Sequence, residues 1–175
     1  TSGSVQADIP VDSFVISEKS IGCDGVLRFY ANNESVCDHP FEEAFIRHCR
    51  WTPSAARPYV VNADPGLVDR LYDEEHTIKG VTLTAVGFYG PQGRVLRLPL
   101  AMPGINDRIT AFRYEGYKVT NYEMESAAIT GLCNLLGHRA ATICLIIANR
   151  INGDASADYH SYMNKLIRYT LEKLS

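Results

Sequence analysis

Thr120-Asn121-Tyr122-Glu123-Met124-Glu125-Ser126 is the stretch that decides how this chain folds and what it can bind. Two carboxylates flank a methionine at the point where an extended segment gives way to a helix at 125–136. Strand-to-helix junctions of this kind form the ligand-binding edge of α/β sheets. The stretch therefore predicts an α/β fold with a polar site at one edge of its sheet.

Segments with strand and helix patterns alternate along the rest of the chain. Apolar or β-branched runs predict strands at 13–17, 59–61, 81–88 and 140–148. Caps and apolar spacings predict helices at 40–50, from Asp64-Pro65 onward, and at 109–117, 125–136 and 159–174. The unbroken apolar run 140–148 is typical of a parallel strand buried on both faces. The alternation predicts a largely parallel sheet with helices on both faces.

Length and composition fit a soluble globular protein with one domain at 1–175. The 175 residues are 46% hydrophobic and 21% charged, with a formal net charge of -3. This mild acidity, without a dense Lys/Arg cluster, argues against a nucleic-acid partner, although a few local arginines suffice for a small anionic substrate. No apolar run approaches the roughly 18–20 residues that a membrane helix needs, so we expect no membrane partner.

The cysteines and histidines are scattered and suggest no metal site. The five cysteines form no CxxC pair, and the five histidines have no neighbouring ligand pattern. Cys133 and Cys144 lie in apolar segments, where a cysteine behaves as a small core residue. No P-loop or dinucleotide fingerprint is present. These features predict a reduced, cytoplasmic protein without a metal or cofactor.

Glu123 and Glu125 could serve either a ligand or the helix that follows them. A carboxylate accepts two hydrogen bonds from a vicinal diol such as the 2′- and 3′-hydroxyls of a ribose. Met124 between them offers an adaptable apolar surface for a sugar ring. Alternatively, both acids only stabilise the helix dipole from the first turn. Both interpretations are open at this point.

A second polar pair, Gln92 and Arg94, lies in a loop that two glycines and a proline interrupt. Glutamine presents a paired donor and acceptor, and arginine presents donors only. Together they match the carbonyl, N–H, carbonyl edge of an imide such as uracil, and Phe88 could stack on the flat base. The alternative is a solvated turn with a packed aromatic side chain.

Arg150 and Thr1 complete the set of candidate residues. Arg150 follows the apolar run 140–148, and a guanidinium there needs a partner. It either closes over the site or pairs with an acid such as Asp154. Thr1-Ser2-Gly3 offers hydroxyls and a flexible backbone that could hold phosphate, as any Ser/Gly-rich segment could.

Polar clusters follow three of the predicted strands, so we expect them to meet at one edge of the sheet. The segments that contain them resemble the nucleoside phosphorylase I family in order and spacing: Phe88 to Arg94, Asn121 to Ser126 and Ile147 to Arg150. Thr1-Ser2-Gly3 resembles the phosphate-binding turn of that family. The resemblance implies a three-layer αβα fold with a mixed, largely parallel twisted sheet. The Phe-(x)₃-Gln-x-Arg loop is similar to that of the pyrimidine-specific members.

The resemblance implies a base pocket and a sugar site. Uracil would be held by five residues, with Phe88 stacked on it: Phe88, Gln92, Arg94, Ile147 and Ala148. The ribose would be held by Glu123, Met124 and Glu125, with the hydroxyl pair on Glu125. Thr1 would contact phosphate, and Arg150 would order the loop over the site. Asn149-Arg150 stands where purine-cleaving relatives have an acid, which speaks against a purine substrate.

The implied reaction is the reversible phosphorolysis of uridine to uracil and ribose 1-phosphate. Gln92, Arg94 and Glu125 would be the catalytic residues, inorganic phosphate the co-substrate, and no cofactor would be needed. The family implies a homo-oligomer built from dimers, commonly a hexamer, in which a neighbouring subunit supplies an arginine and a histidine. Family members extend well before Thr1, so we expect the domain to be N-terminally incomplete and to lack most of its phosphate site. The alternatives are a purine phosphorylase or nucleoside hydrolase of the same fold, or a non-catalytic nucleoside-binding protein.

Overall fold

The computed structural model, which describes residues 1–175, contains one mixed sheet and five α-helices. The strands are β1 Ser2–Ser4, β2 Phe14–Gly22, β3 Tyr59–Asn62, β4 Thr77–Thr84, β5 Arg113–Tyr114, β6 Tyr117–Glu123 and β7 Thr142–Asn149. The helices are α1 His39–Cys49, α2 Pro65–Leu71, α3 Ile105–Ala111, α4 Ser126–Leu135 and α5 Tyr159–Leu174. Short 3-10 turns occur at Val26–Phe29, Asn33–Val36 and Gly90–Gln92. The prediction of an α/β fold with a mixed sheet is confirmed.

Five of the seven strands close into a ring. β2, β4 and β6 run parallel to one another, and β7 runs antiparallel to β2. β1 closes the ring, because it pairs with β7 on one side and with β6 on the other. β3 extends the ring from β2, and β5 extends it from β6. The ring was not predicted from the sequence, because its closure depends on pairing between the two ends of the chain.

A ladder of buried polar side chains links four neighbouring strands on the inner face of this ring. Ser17 and Thr82 share a hydrogen bond of 2.6 Å, and the Thr82 hydroxyl donates to Asn121 Oδ1 at 3.0 Å. Asn121 Nδ2 donates in turn to Ser2 Oγ at 3.0 Å. Buried polar groups are tolerated when they have such partners, and each bond fixes one strand against the next. The ladder therefore sets the register of β1, β2, β4 and β6.

The helices cover the ring from several sides. Phe41 and Phe45 of α1 each pack at 5.4 Å, measured between ring centres, against Phe112 at the end of α3. These rings lie in the main core cluster with Val81 and Leu83 of β4. α2 and α5 pack together near β2 and β7, while α4 packs against β2, β3 and β4. None of the helices combines the length and apolar content that crossing a bilayer requires.

The prediction of a helix at 109–117 is wrong. α3 ends at Ala111, and β5 and β6 then form a hairpin in which Tyr114 lies opposite Tyr117. The two residues between them, Glu115 and Gly116, have φ angles of 49° and 83°. Two positive φ angles in a two-residue loop are the geometry of a type I′ turn. Gly116 therefore serves a hairpin and does not end a helix.

Two strand predictions also need correction. The strand predicted at 81–88 runs from Thr77 to Thr84, so that Phe88 lies in the loop beyond it. β7 was expected to be parallel, but it is parallel only to β1 and antiparallel to β2. β1 nevertheless brings the last residues of β7 beside those of β6, because Gly3 pairs with both Ala148 and Tyr122. Arg150 therefore reaches the site across β1 and not from a parallel neighbour of β4 or β6.

Candidate functional site

The junction between β6 and α4 is built around the side chain of Glu123. One carboxylate oxygen accepts the backbone N–H groups of Glu125 and Ser126, both at 2.7 Å. The other oxygen accepts the hydroxyl of Thr84 at the end of β4. Glu123 is buried, and its carboxylate occupies the positive end of the helix dipole. Glu123 thus caps α4, as in the helix interpretation of the sequence.

Glu125 differs from Glu123 although it lies only two residues away. Glu125 is exposed, and its side chain forms no hydrogen bond or ion pair within the protein. Met124 beside it is 40% exposed. The carboxylate of Glu125 and the thioether of Met124 are therefore the groups of this junction that can meet a ligand.

The start of the chain lies next to the same junction. β1 is antiparallel to β6 with Gly3 opposite Tyr122, a register that directs the exposed Thr1 toward Met124. Burial raises the pKa of the Cys144 thiol in β7 to about 11, and the nearby carboxylates of Glu123 and Glu125 add to the rise. Thr1, the two acids and the middle of β7 therefore surround one end of the ring.

The loop after β4 holds the aromatic and polar residues that the sequence singled out. Phe88 is 54% exposed, and the guanidinium carbon of Arg94 lies 3.9 Å from the centre of its ring. Arg94 Nη1 donates to the backbone carbonyl of Phe88 and, at 2.6 Å, to Oε1 of Gln92. Gln92 is only 3% exposed. The Phe88 ring thus packs against the Arg94 guanidinium and, at a right angle and 5.3 Å between ring centres, against the Tyr89 ring.

Arg150 joins the same loop. Its Nη1 donates to the backbone carbonyl of Gln92 at 3.1 Å, and its Nη2 donates to Gln92 Oε1. The guanidinium also lies over the Tyr122 ring, 4.4 Å from its centre. The alternative expectation, an ion pair between Arg150 and Asp154, is wrong, because Arg150 forms no ion pair.

A missing side chain in β1 leaves room for Arg150 to reach Gln92. A Cβ atom at Gly3 would lie 3.4 Å from Arg150 Nε, so the arginine side chain lies directly against this glycine of β1. Ala148 of β7 is the strand neighbour of Gly3, and both Ile147 and Ala148 are half-buried. Gly3 also pairs with Tyr122, so β1 places the end of β7 next to the end of β6.

The two arginines form an uncompensated positive site. Burial lowers the pKa of Arg94, and burial together with the nearby Arg94 lowers the pKa of Arg150 to about 10. Both groups stay charged at neutral pH. Neither forms an ion pair with a carboxylate. Like charges without a counter-ion favour an anionic or strongly hydrogen-bond-accepting ligand, because such a ligand offsets their repulsion.

Two residues of this site were missed by the sequence reasoning. Asn106 of α3 donates from Nδ2 to the backbone carbonyls of Gln92 and Gly93 at 3.2 and 3.3 Å. The hydroxyl of Tyr122 donates to Asn106 Oδ1 at 3.2 Å. Tyr122 lies in the quoted stretch, but nothing in its neighbours indicates a role. No local pattern links Asn106 to Gln92, 14 positions earlier.

A large cavity lies beside this loop and does not coincide with the predicted site. It has a volume of about 1050 Å³ and is lined mainly by apolar residues of 86–102 and 51–56. Arg94 is the one predicted site residue that lines it. No three His, Cys, Asp or Glu side chains are grouped so that they could hold a metal ion.

The structure is an α/β fold, in which helices cover a mixed sheet and polar groups gather at one end of the ring of strands. Comparison with known families agrees with this fold class. The family model described as the phosphorylase superfamily matches residues 1–170. The chain belongs to the phosphorylase superfamily.

Three similar proteins carry the name uridine phosphorylase, one of them as an inactive form. The uridine phosphorylase of Thermococcus kodakarensis is 25% identical over 160 residues, which make up 88% of this chain and 48% of that protein. Uridine phosphorylase A of Schistosoma mansoni is 36% identical over 96 residues, 54% of this chain and 32% of that one. Inactive uridine phosphorylase B of the same organism is 36% identical over 87 residues, 44% of this chain and 26% of that one. The chain spans less than half the length of these relatives.

A solved structure supports the fold. The crystal structure of a Trypanosoma brucei nucleoside phosphorylase, described as showing uridine phosphorylase activity, has a TM-score of 0.84 to this chain at 24% identity. The match covers 99% of this chain and 61% of that one. At this identity the likeness shows that the two chains share a fold.

Proposed function

We propose that this chain carries the base-binding and ribose-binding part of a uridine phosphorylase, which cleaves uridine with inorganic phosphate to uracil and ribose 1-phosphate. The observation that carries the proposal is the position of Gln92 between two arginines that have no carboxylate partner. A purine phosphorylase has no need of this arrangement, whereas an imide base that leaves as an anion matches it.

The hydrogen bonds of Gln92 fix which group of its amide meets a ligand. Arginine only donates hydrogen bonds, so the amide atom that faces Arg94 and Arg150 is the oxygen. The Nε2 group of Gln92 then remains as a donor. Donors from an amide and a guanidinium suit the two carbonyl oxygens of uracil, while the amino group of cytosine would place donor against donor.

The same arginines suit the chemistry of the departing base. As the glycosidic bond lengthens, negative charge develops on the uracil ring and positive charge develops on the sugar. Fixed guanidinium groups aimed at the developing anion stabilise the transition state more than the substrate, which raises the rate of the chemical step. Arg94 would act directly on the base, and Arg150 would hold Gln92 and add to the positive field.

The ribose would be bound at the other side of the site. The free carboxylate of Glu125 would accept the 2′- and 3′-hydroxyls, and Met124 would contact the sugar ring. Glu123 would act mainly by capping α4 and thereby positioning Glu125. Thr1 would contact phosphate, for which further ligands outside these residues are expected. We also expect a homo-oligomer and no cofactor.

A second candidate is a nucleoside-binding protein that does not turn over its ligand. The observation in its favour is that one similar protein of Schistosoma mansoni is named an inactive uridine phosphorylase. Uridine binding without uracil release would distinguish it from an enzyme.

The deciding experiment measures uracil release from uridine by the protein with and without inorganic phosphate, with inosine as a parallel substrate. The proposal expects release that requires phosphate and no cleavage of inosine. Release without phosphate would identify a hydrolase, and cleavage of inosine a purine phosphorylase. Calorimetric binding of uridine without any release would identify the non-catalytic protein. Each of these three results overturns the proposal.

A further inference from the structure

Asn106 stands at the centre of a closed set of contacts beneath the Gln92 loop. Its Nδ2 donates to the backbone carbonyls of Gln92 and Gly93 at 3.2 and 3.3 Å. Its Oδ1 accepts the Tyr122 hydroxyl at 3.2 Å. The Tyr122 ring carries the guanidinium of Arg150, which returns to Gln92 through two hydrogen bonds. These four residues come from four different segments, and their contacts form a closed circle.

The backbone of Gly93 shows how closely Asn106 approaches. A Cβ atom at this position would lie 2.5 to 2.7 Å from the amide atoms of Asn106. Gly93 also has a φ angle of 71°, a left-handed conformation that favours glycine. The absence of a side chain at Gly93 lets the Asn106 amide reach two successive carbonyls of the loop.

The amide of Asn106 can hold only one orientation. The Tyr122 hydroxyl donates to Oδ1, and both carbonyls require donors, so all three contacts agree on which atom is nitrogen. A carboxylate in the same place could still accept the hydrogen bond from the Tyr122 hydroxyl. It has no N–H group to donate to the two carbonyl oxygens, so it would repel them. Asn106 is therefore suited to hold the loop, and aspartate is not.

We propose that Asn106 is a positioning residue for base recognition, which sets the position of Gln92 through the Gln92 and Gly93 carbonyls. It touches neither the base nor the sugar. Its effect on the reaction rests on the proposed uridine phosphorolysis, whereas its effect on the loop does not. Loss of the Asn106 donors should weaken the binding of uracil and leave the sugar and phosphate side of the site unchanged.

The test compares Asn106→Asp with Asn134→Asp in the same protein. Asn134 also donates through Nδ2 to a backbone carbonyl, that of Asn62 at 3.0 Å, but on an exposed surface of α4. Each variant is assayed in the direction of nucleoside synthesis from uracil and ribose 1-phosphate. For Asn106→Asp the KM for uracil should rise about 10-fold or more, since two hydrogen bonds are replaced by repulsion. The KM for ribose 1-phosphate should stay within about 2-fold, and Asn134→Asp should change neither constant.

Hydrogen exchange supplies a readout that does not depend on activity. The amides of Gln92, Gly93 and Arg94 are bonded within the loop, to the carbonyls of Tyr89 and Gly90. Asn106→Asp should speed the exchange of a peptide covering 88–94, and Asn134→Asp should not. Tyr122→Phe, which keeps the ring under Arg150 and removes only the hydroxyl, should give a smaller change in the same direction. Tyr122→Phe also provides this exchange test if Asn106→Asp does not fold.

The outcomes separate the two proposals. If the unmodified protein turns over no uridine but Asn106→Asp still loosens the loop, the proposed function fails and the positioning role stands. If uridine is cleaved but both aspartate variants give the same KM for uracil and the same exchange, the positioning role is wrong. Equal rises in the KM of uracil and of ribose 1-phosphate would also overturn it, because they indicate general damage.

Discussion

The junction before α4 and the loop after β4 both supply charged side chains to the candidate site, but they hold these charges differently. At the junction, Glu123 is buried with partners for both carboxylate oxygens, all from neighbouring backbone or from Thr84. Arg94 in the loop and Arg150, which packs against the loop from the end of β7, are only partly buried and have no acidic partner. The carboxylate of Glu123 has all its partners within the protein, whereas the two guanidinium groups have no carboxylate partner there. Mutation of Glu123 should therefore cost stability, and mutation of the arginines should cost activity.

The largest expected effect is on catalysis, from Arg94→Ala. Removing a donor that acts on developing negative charge should lower kcat for uridine by a factor of about 10² or more, roughly 2.7–4 kcal/mol of barrier. Arg97→Ala, an exposed arginine of the same loop, is the matched control and should change kcat little. Unchanged uridine cleavage by Arg94→Ala would remove Arg94 from the leaving-group role.

The next largest effect is on stability, from Glu123→Ala. The change removes the cap of α4 and leaves the Thr84 hydroxyl and two backbone N–H groups without their acceptor. We expect a loss of about 2–4 kcal/mol in the free energy of unfolding, measured by urea denaturation. Glu125→Ala should change it by less than about 0.5 kcal/mol, because that side chain has no partner. Equal losses in the two variants would contradict the distinction between the two acids.

Glu125→Gln tests the other half of that distinction. Hydrogen bonds from a diol to a carboxylate are worth about 1.5–3 kcal/mol, so the KM for uridine should rise about 10-fold or more. The rise should be smaller for 2′-deoxyuridine, which lacks one of the two hydroxyls. Thermal unfolding should be unchanged. A rise of the same size with both substrates would mean that Glu125 does not bind the 2′-hydroxyl.

The smallest expected effect comes from Gly93→Ala, with Gly116→Ala as its control. Both glycines have positive φ angles, 71° and 83°, so each substitution costs about 1–2 kcal/mol of backbone strain. A Cβ atom at Gly116 meets nothing within 4 Å, whereas at Gly93 it meets the Asn106 amide. Gly93→Ala should lose more stability than Gly116→Ala, because its Cβ atom also displaces the Asn106 amide, and only Gly93→Ala should raise the KM for uridine. A matching rise with Gly116→Ala would show that the strain alone is responsible.

The sequence was sufficient where structure depends on neighbouring residues. Asp64 accepts a backbone N–H group at the start of α2, as its capping pattern predicted. The hairpin at 113–118 was misread because a glycine after an apolar turn looks the same at a helix end and in a type I′ turn. Only the pairing of β5 with β6 decides between these two.

The parts of the site that escaped prediction depend on distant residues. Glu123 becomes a cap because Thr84 lies beside it, 39 positions away in the chain. Arg150 reaches Gln92, 58 positions earlier, because Gly3 leaves space for its side chain. The sequence could therefore name Glu123, Glu125, Gln92, Arg94 and Arg150 as candidates. It could not say which of these side chains have their hydrogen-bonding partners within the protein, because closure of the ring brings those partners together.

Closure of the ring by β1 also bears on the order in which the molecule assembles. The contact between Ser2 and Asn121 spans 119 positions, while β5 and β6 are joined by a two-residue turn. Local hairpins form early, and pairings that enclose a long stretch of chain form slowly, because the loop entropy is lost before any contact is gained. Gly3 and the guanidinium of Arg150 lie at this seam. We therefore expect the ligand-binding end of the ring to be the last part of the protein to form during refolding.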